Sequence, residues 1–244
     1  MLDRLIASLQ RNDYTDAWKR NQYAHLAGSV ARHVEGRTLV DVGCAEGLLT
    51  TLVGASLPAE VLVLGMDLQP HPLWPRARTR ARFVAGDASR PPLATAVAGV
   101  VLAKDLLHHA SDPGEALRWL TRLASRRVII VEANAANPIM ALYTRHNGDR
   151  HYDEAALLAL LTEVVPQSAI TCEEVVAYPF YLPPVRTPAA LWIWPVTAVM
   201  LLLFKVLRLN APARVLHRLA SVRSWPPPFM IRSFDVERCH PTIR

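Results

Sequence analysis

A chain of 244 residues, 51% hydrophobic and 20% charged, is long and apolar enough to bury one substantial core with an elaboration, which excludes a disordered polymer. Its formal net charge of +6 is compatible with a nucleic acid, an anionic lipid or an acidic substrate, but arginine, alanine and proline recur along the whole chain, so the total alone selects none of these. The three cysteines, Cys44, Cys172 and Cys239, form no CxxC and no close pair; they give no sign of a disulfide framework or a zinc site and fit a reducing cytosol.

The N-terminal stretch carries Asp3 and Arg4 early and lacks an apolar core followed by a small-residue cleavage site, which argues against a secretory signal. Leu2, Leu5, Ile6 and Leu9 fall at helical spacing and read as an amphipathic helix packing on the domain. A helix is expected over 17–33. From Thr38 onward, short runs of Val, Leu and Ile alternate with helical or proline-broken stretches, the pattern of parallel strands joined by crossovers. Strands are predicted near 38–42, 61–67, 82–85, 100–104, 128–132, 170–178 and 229–236. Helices are predicted over 48–56, 114–125 and 153–164, the last opened by Asp153 as an N-cap. The stretch 70–80 is proline-broken and poorly helical. No internal repeat and no serine- or glycine-rich linker divides the chain.

The first strand runs into VDVGCAEG, Val40 to Gly47. A strand, a glycine-containing turn and a helix together aim backbone N–H groups at a negatively charged ligand group. A dinucleotide fingerprint requires G-x-G-x-x-G; here Gly43 and Gly47 are separated by Cys44, Ala45 and Glu46, and Leu48 takes the third glycine's place. A nicotinamide dinucleotide therefore fits badly. Further along come Asp67 after VLVLGM, the segment FVAGDASRPPL, and LAKDLLHHASDPGEALRWLTRL.

These four segments, in this order, resemble the class I S-adenosylmethionine-dependent methyltransferase family, in its type 11-like branch acting on small molecules and lipids. The likeness runs from Arg37 to Glu132. It implies a Rossmann-like α/β fold: a seven-stranded, mostly parallel sheet with helices on both faces and an antiparallel last strand. It also implies S-adenosylmethionine as cofactor, with Asp41 at its amino end and Gly43, Cys44, Ala45 and Gly47 along its methionine portion. Asp67, followed by Leu68, would accept from the ribose hydroxyls, and Asp87 would face the adenine amino group beside backbone contacts from Ala88. Lys104 is counted with the cofactor residues, as an orienting charge and not a base. Ala45 departs from the family's glycine, which should narrow the site without closing it.

Methyl transfer from a sulfonium needs an in-line nucleophile, and a base only when the acceptor must lose a proton. His109 aligns with the family's histidine and is the preferred base for a hydroxyl acceptor; the alternative is that it packs the cofactor loop or caps the next helix. His108 and Asp105 are weaker candidates. The fourth strand does not lead into an N-P-P-Y motif, which disfavours methylation of base amines, and no cysteine there offers a covalent route. No interleaving of basic and aromatic residues marks a nucleic-acid surface. VEANAANPIMALY resembles the family's E-P-N-x-x-N-P variant, with Ala133 in place of proline; the resemblance places Asn134, Asn137 and Tyr143 near the substrate mouth. HNGDRHYDE, with His146, His151 and Tyr152, reads as a polar surface loop or a lid, and the spacing of its histidines matches no metal motif, so no metal is inferred.

Thr187 to Phe204 is 18 residues without a charge, followed by Lys205, Arg208, Arg214, Arg218 and Arg223. A single span is disfavoured, because the strands before and after it would be parted by the bilayer. Three arrangements remain: an in-plane or re-entrant membrane contact through 187–223, a cover over an apolar substrate pocket, or a homodimer interface. Trp192 and Trp194 with the basic flank favour the membrane surface, Pro195 would kink a helix there, and Trp192 is also counted among substrate residues. The expected organisation is an N-terminal helical cap over 1–36, a methyltransferase domain over 37–178 and 229–244, and an apolar and basic helical insert over 179–228. The expected activity is methylation of a small, apolar or lipid-like acceptor, on oxygen first, in the cytoplasm or at the inner face of its membrane. Carbon methylation of a quinone- or polyketide-type acceptor and a non-catalytic cofactor-binding module docked at a membrane are the alternatives.

Overall fold

The computed structural model of the protein describes residues 20, 23–24, 26–76, 79–88, 90, 92–137, 141, 150–173 and 229–236. Seven strands form one sheet: β1 Thr38–Val42, β2 Leu62–Asp67, β3 Arg82–Ala85, β4 Ala98–Lys104, β5 Ala124–Ala133, β6 Ile170–Glu173 and β7 Phe229–Asp235. Their order is β3-β2-β1-β4-β5-β7-β6. The first five are parallel to one another, while β7 is antiparallel to both β5 and β6. The strand order therefore reverses between β1 and β4, and the crevice beyond the carboxyl ends of these two strands is where an open α/β sheet binds its ligand.

Alternate residues of each central strand feed opposite layers. Val40, Val42, Val101, Ala103, Val128 and Ile130 pack with Leu117 and Leu120 of α2 (Pro113–Leu123) and with Leu157 and Leu161 of α3 (Glu154–Thr162). Leu39, Val63, Val100, Leu102, Ile129 and Val131 pack on the other face with Leu49 and Val53 of α1 (Leu48–Ser56) and with Leu26 and Val30 of a helical segment over 26–31. Burial on both faces explains why these strands read as continuous apolar runs instead of alternating ones.

The expected elements and the observed ones agree closely through β1, α1 and β3. Asp153 caps α3 as expected, accepting from the Ala156 N–H at 2.8 Å. β5 starts four residues ahead of the predicted 128, at Ala124. Its early residues Ser125, Arg126 and Arg127 are polar, but Arg127 finds partners at both ends of its fork: Nε donates to Asp235 Oδ1 at 2.9 Å and a terminal nitrogen lies 3.4 Å from Glu35. For the same reason α2 stops at Leu123, where Ala124 already has extended backbone. Within 70–80 the chain makes one short 3-10 turn, Trp74–Arg76.

Residues 2–9, the far part of the sixth predicted strand (174–178), Tyr143, His146 and the whole 179–228 insert with Trp192, Trp194 and Pro195 lie outside the described residues. Among the described residues no helix is long and apolar enough to cross a membrane.

Candidate cofactor and acceptor site

The loop between β1 and α1 is tied to the neighbouring strand, since the N–H groups of Gly43 and Cys44 both donate to Met66 O, at 2.8 and 3.1 Å. Three of its residues have left-handed backbone: Gly43 at φ 77°, Ala45 at φ 47° and Gly47 at φ 80°. The glycines are needed twice over, for this conformation and for space. A Cβ on Gly47 would stand 2.4 Å from Phe83 Cε1, and one on Gly43 would stand 3.0 Å from Leu106 Cδ1. Ala45 has no such exemption, and an L-residue there costs about 1–2 kcal/mol. Its peptide groups are held from both sides: Ala45 N–H donates to Asp67 Oδ2 at 2.7 Å, and the Trp74 indole N–H donates to Ala45 O at 2.9 Å. The Trp74 ring stacks on Phe83 with centroids 5.4 Å apart. Ala45 is itself exposed, so the departure from glycine shows up as backbone strain. Trp74 escaped the sequence reading because it sits in the proline-broken stretch; a lone indole beside that loop was the available signal.

Asp41 lies under the loop and is only 1% exposed. The Thr50 hydroxyl donates to its Oδ2 at 2.6 Å, while Oδ1 is buried without a hydrogen-bond partner. Burial pushes the carboxyl up to about 6 against the opposing pull of the Thr50 hydrogen bond and the Lys104 charge. An ionised carboxylate oxygen with no donor is costly in such a place, and the ammonium end of a methionine moiety would supply the missing donor. Asp67 keeps Oδ1 clear of the bond to Ala45, and Leu68 beside it is 65% exposed. Asp87 is exposed and bridges to Arg90 across a tight turn, with Ala88 packed on the core. Lys104 pairs with Asp105 and lies 5.0 Å from the centre of the Tyr23 ring. Cys44 is buried, and burial pushes its thiol up, so it is no nucleophile. The residues present thus fit S-adenosylmethionine: an unmet buried acceptor for its ammonium, glycines where its backbone neighbour must be bare, and a carboxylate at the end of β2 for its ribose.

A second cluster begins where β4 ends. Asp105 has φ 50°, and its N–H donates to Val131 O at 2.8 Å. This left-handed residue turns the chain at once into a 3-10 turn, Leu107–His109, which faces the end of β5. There Glu132, fully buried, accepts from the Leu107 N–H at 2.8 Å through Oε1 and lies 2.6 Å from His108 Nδ1 through Oε2. Burial raises the Glu132 carboxyl, with the His108 hydrogen bond acting against it and Asp105 adding to it. Asp105 is also pushed up by burial, but Lys104, followed by His108 and His151, holds it below the usual carboxylate range. The His151 ring packs 4.2 Å from that of His108 on one side and His109 packs 4.0 Å from it on the other. Tyr152 OH donates to Leu107 O at 3.4 Å, and burial followed by the Glu132 charge raises its phenol.

The two adjacent histidines stand in different surroundings. The side chain of His108 is 3% exposed and oriented by a carboxylate, whereas His109 is exposed. Leu106 is the side chain beside Gly43, and Asp112 caps α2 by accepting from Glu115 N–H at 2.8 Å. Asn134 and Asn137 are buried after β5; Asn134 Oδ1 accepts from Ala136 N–H at 3.0 Å and closes its own turn. Glu132 was not singled out in the sequence, and His151, read there as part of a surface loop or lid, packs against His108. The signal for Glu132 was a carboxylate ending the apolar run VIIVE, where a charge needs a partner.

A family model described as a methyltransferase domain matches residues 40–131. Among solved structures, a SAM-dependent methyltransferase of Thermotoga maritima, described as a possible histamine N-methyltransferase, superposes with a TM-score of 0.56 at 13% identity, covering 92% of this chain and 95% of that one. The plantazolicin methyltransferase BpumL, in complex with SAH, gives 0.56 at 15% identity and covers 95% and 89%. At these identities the superpositions speak for the fold alone. A search of curated proteins finds no match. Residues 40–131, from β1 to β5, thus match a methyltransferase domain, and the 3-2-1-4-5-7-6 sheet around them is the Rossmann-like fold of class I S-adenosylmethionine-dependent methyltransferases.

Proposed function

We propose that this methyltransferase acts on a hydroxyl of a small, apolar or lipid-like molecule, and that His108 takes the hydroxyl proton. The observation that carries this reading is the buried contact between His108 Nδ1 and Glu132 Oε2, at 2.6 Å, on the carboxyl edge of the sheet. With Nδ1–H directed at the carboxylate, Nε2 holds the lone pair, the arrangement in which a carboxylate sets the tautomer of a base. Leu106, two residues before His108, is the side chain against Gly43, so the same short turn lines the cofactor loop and supplies the base. S-adenosylmethionine, when bound, supplies a methyl group on a sulfonium. The acceptor oxygen gains that methyl as the carbon–sulfur bond breaks, and its proton passes to His108 Nε2. Catalysis otherwise rests on positioning.

The acceptor class rests on the uncharged run 187–204, which suits a cover for an apolar acceptor or a contact with the inner face of the membrane; the 1–36 cap and the 179–228 insert are the segments added to the methyltransferase domain. Asn137 is assigned to the acceptor mouth with Tyr143, His146 and Trp192. The test is transfer of labelled methyl from the cofactor to an extract of the source and to a panel of phenolic, aliphatic and amine acceptors. His108→Ala should cut transfer by about 10²–10⁴-fold with SAH affinity unchanged. Amine acceptors methylated in preference to hydroxyls, or full activity in His108→Ala, would overturn the reading.

A further inference from the structure

We propose that His108, Glu132 and His151 form a binding site for a divalent transition-metal ion. Three separate parts of the chain meet here: the turn after β4, the end of β5 and the segment leading into α3. One ligand atom from each residue lies within 4.8 Å of the other two. Glu132 and the side chain of His108 are buried, and both ring nitrogens of His151 are buried atoms. Two imidazoles and a carboxylate suit zinc, cobalt or iron(II), in contrast to the all-oxygen sets of magnesium and calcium, and they leave coordination positions open.

The surroundings match that donor set in two further respects. Leu107 N–H holds Glu132 by Oε1, leaving Oε2 as the ligand atom; a ligating carboxylate is oriented in this way by its outer partners. The carboxylate of Asp105, paired with Lys104, stands in the same cluster. Asp105 Oδ1 is moreover a buried carboxylate oxygen with no hydrogen-bond partner.

The required movement is small. His108 Nδ1 and Glu132 Oε2 stand 2.6 Å apart, and an ion about 2.1 Å from each, at the angles of tetrahedral or octahedral coordination, would set them roughly 3.0–3.4 Å apart. The ion replaces the proton they share. Its consequence for catalysis rests on the reading above: an acceptor hydroxyl bound to the ion is acidified by it, which relieves His108 of the proton. Binding does not depend on that reading.

The experiment is titration of the full-length protein, stripped with a chelator, using Co²⁺ followed by its visible absorption and Zn²⁺ followed by calorimetry, with SAH affinity measured in parallel. One ion should bind per chain. His151→Asn and Glu132→Gln should each weaken it by about tenfold or more, while SAH binds as in the parent protein. No saturable binding, or binding equally tight in both variants, would overturn the proposal, and retained SAH affinity would leave the methyltransferase assignment standing.

Discussion

Asp41→Asn separates what the buried carboxylate does for the cofactor from what it does to the fold. In the unfolded chain this carboxyl titrates at its ordinary 3.8, and in the folded protein burial raises it to about 6. Below both values it is protonated in either state and costs nothing. Between them the folded state binds more protons than the unfolded one, so stability falls as pH rises and levels off above about 6. The full difference is worth about 3 kcal/mol, of which about 2 kcal/mol lie between pH 4.5 and 8. Asparagine has the same shape, can still accept from the Thr50 hydroxyl, and does not titrate. Any constant packing or hydrogen-bond penalty of the substitution cancels when two pH values are compared. Urea denaturation of the ligand-free protein should therefore show the variant gaining about 2 kcal/mol on the parent between pH 4.5 and 8. SAH affinity at pH 8 should fall by about tenfold or more, because a charge-assisted hydrogen bond to its ammonium is lost. Parallel pH–stability curves for the two proteins would show that Asp41 is not held as an unmet buried charge.

Gly47→Ala should destabilise the protein by about 2–5 kcal/mol, the sum of left-handed strain and overpacking against Phe83; denaturant melts of the variant and of Gly47→Ala/Phe83→Leu check it, the second recovering the packing part alone. Trp74→Phe keeps the stack on Phe83 but removes the donor to Ala45 O, a change of about 1 kcal/mol, so SAH should bind about fivefold more weakly with the circular dichroism spectrum unchanged. Ala45→Gly should raise ligand-free stability by up to about 1 kcal/mol in the same melts, and a loss would show that the turn needs its side chain.

How legible the molecule was in its sequence depended on whether a residue's partner was near in the chain. β1, the loop after it and α1 form one contiguous unit, and VDVGCAEG with the helix behind it could be read directly. Asp153 as a cap could be read as well, since a cap and the N–H it accepts from are three residues apart. Motif alignment cannot see that Glu132, 24 residues away, contacts one of two adjacent imidazoles. Arg127 hid the start of β5, because its carboxylate partner Asp235 is 108 residues distant. Trp74 and Ala45 are 29 apart, and only the fold shows that an indole stands where the family's glycine would have made a clamp unnecessary.

Two of the three non-glycine residues in left-handed backbone among the described ones stand at the two ends of one crevice; the third, Ala96, precedes β4. Ala45 and Asp105, both in left-handed backbone without being glycine, follow β1 and β4, the two strands between which the sheet order reverses. Each is fixed by bonds to its neighbours: Ala45 by Asp67 and Trp74, Asp105 by Val131 and Lys104. Backbone in this region persists only where its surroundings over-determine it, and here the surroundings are the residues assigned to cofactor and acceptor. Relaxing the turn at Asp105 would swing His108 away from Glu132, and relaxing the turn at Ala45 would release Asp67 from the loop. The strained residues thus hold the carboxylate of β2 at one end of the crevice and the oriented imidazole after β4 at the other, in place before either ligand arrives, which is the preorganisation that a reaction governed by positioning requires.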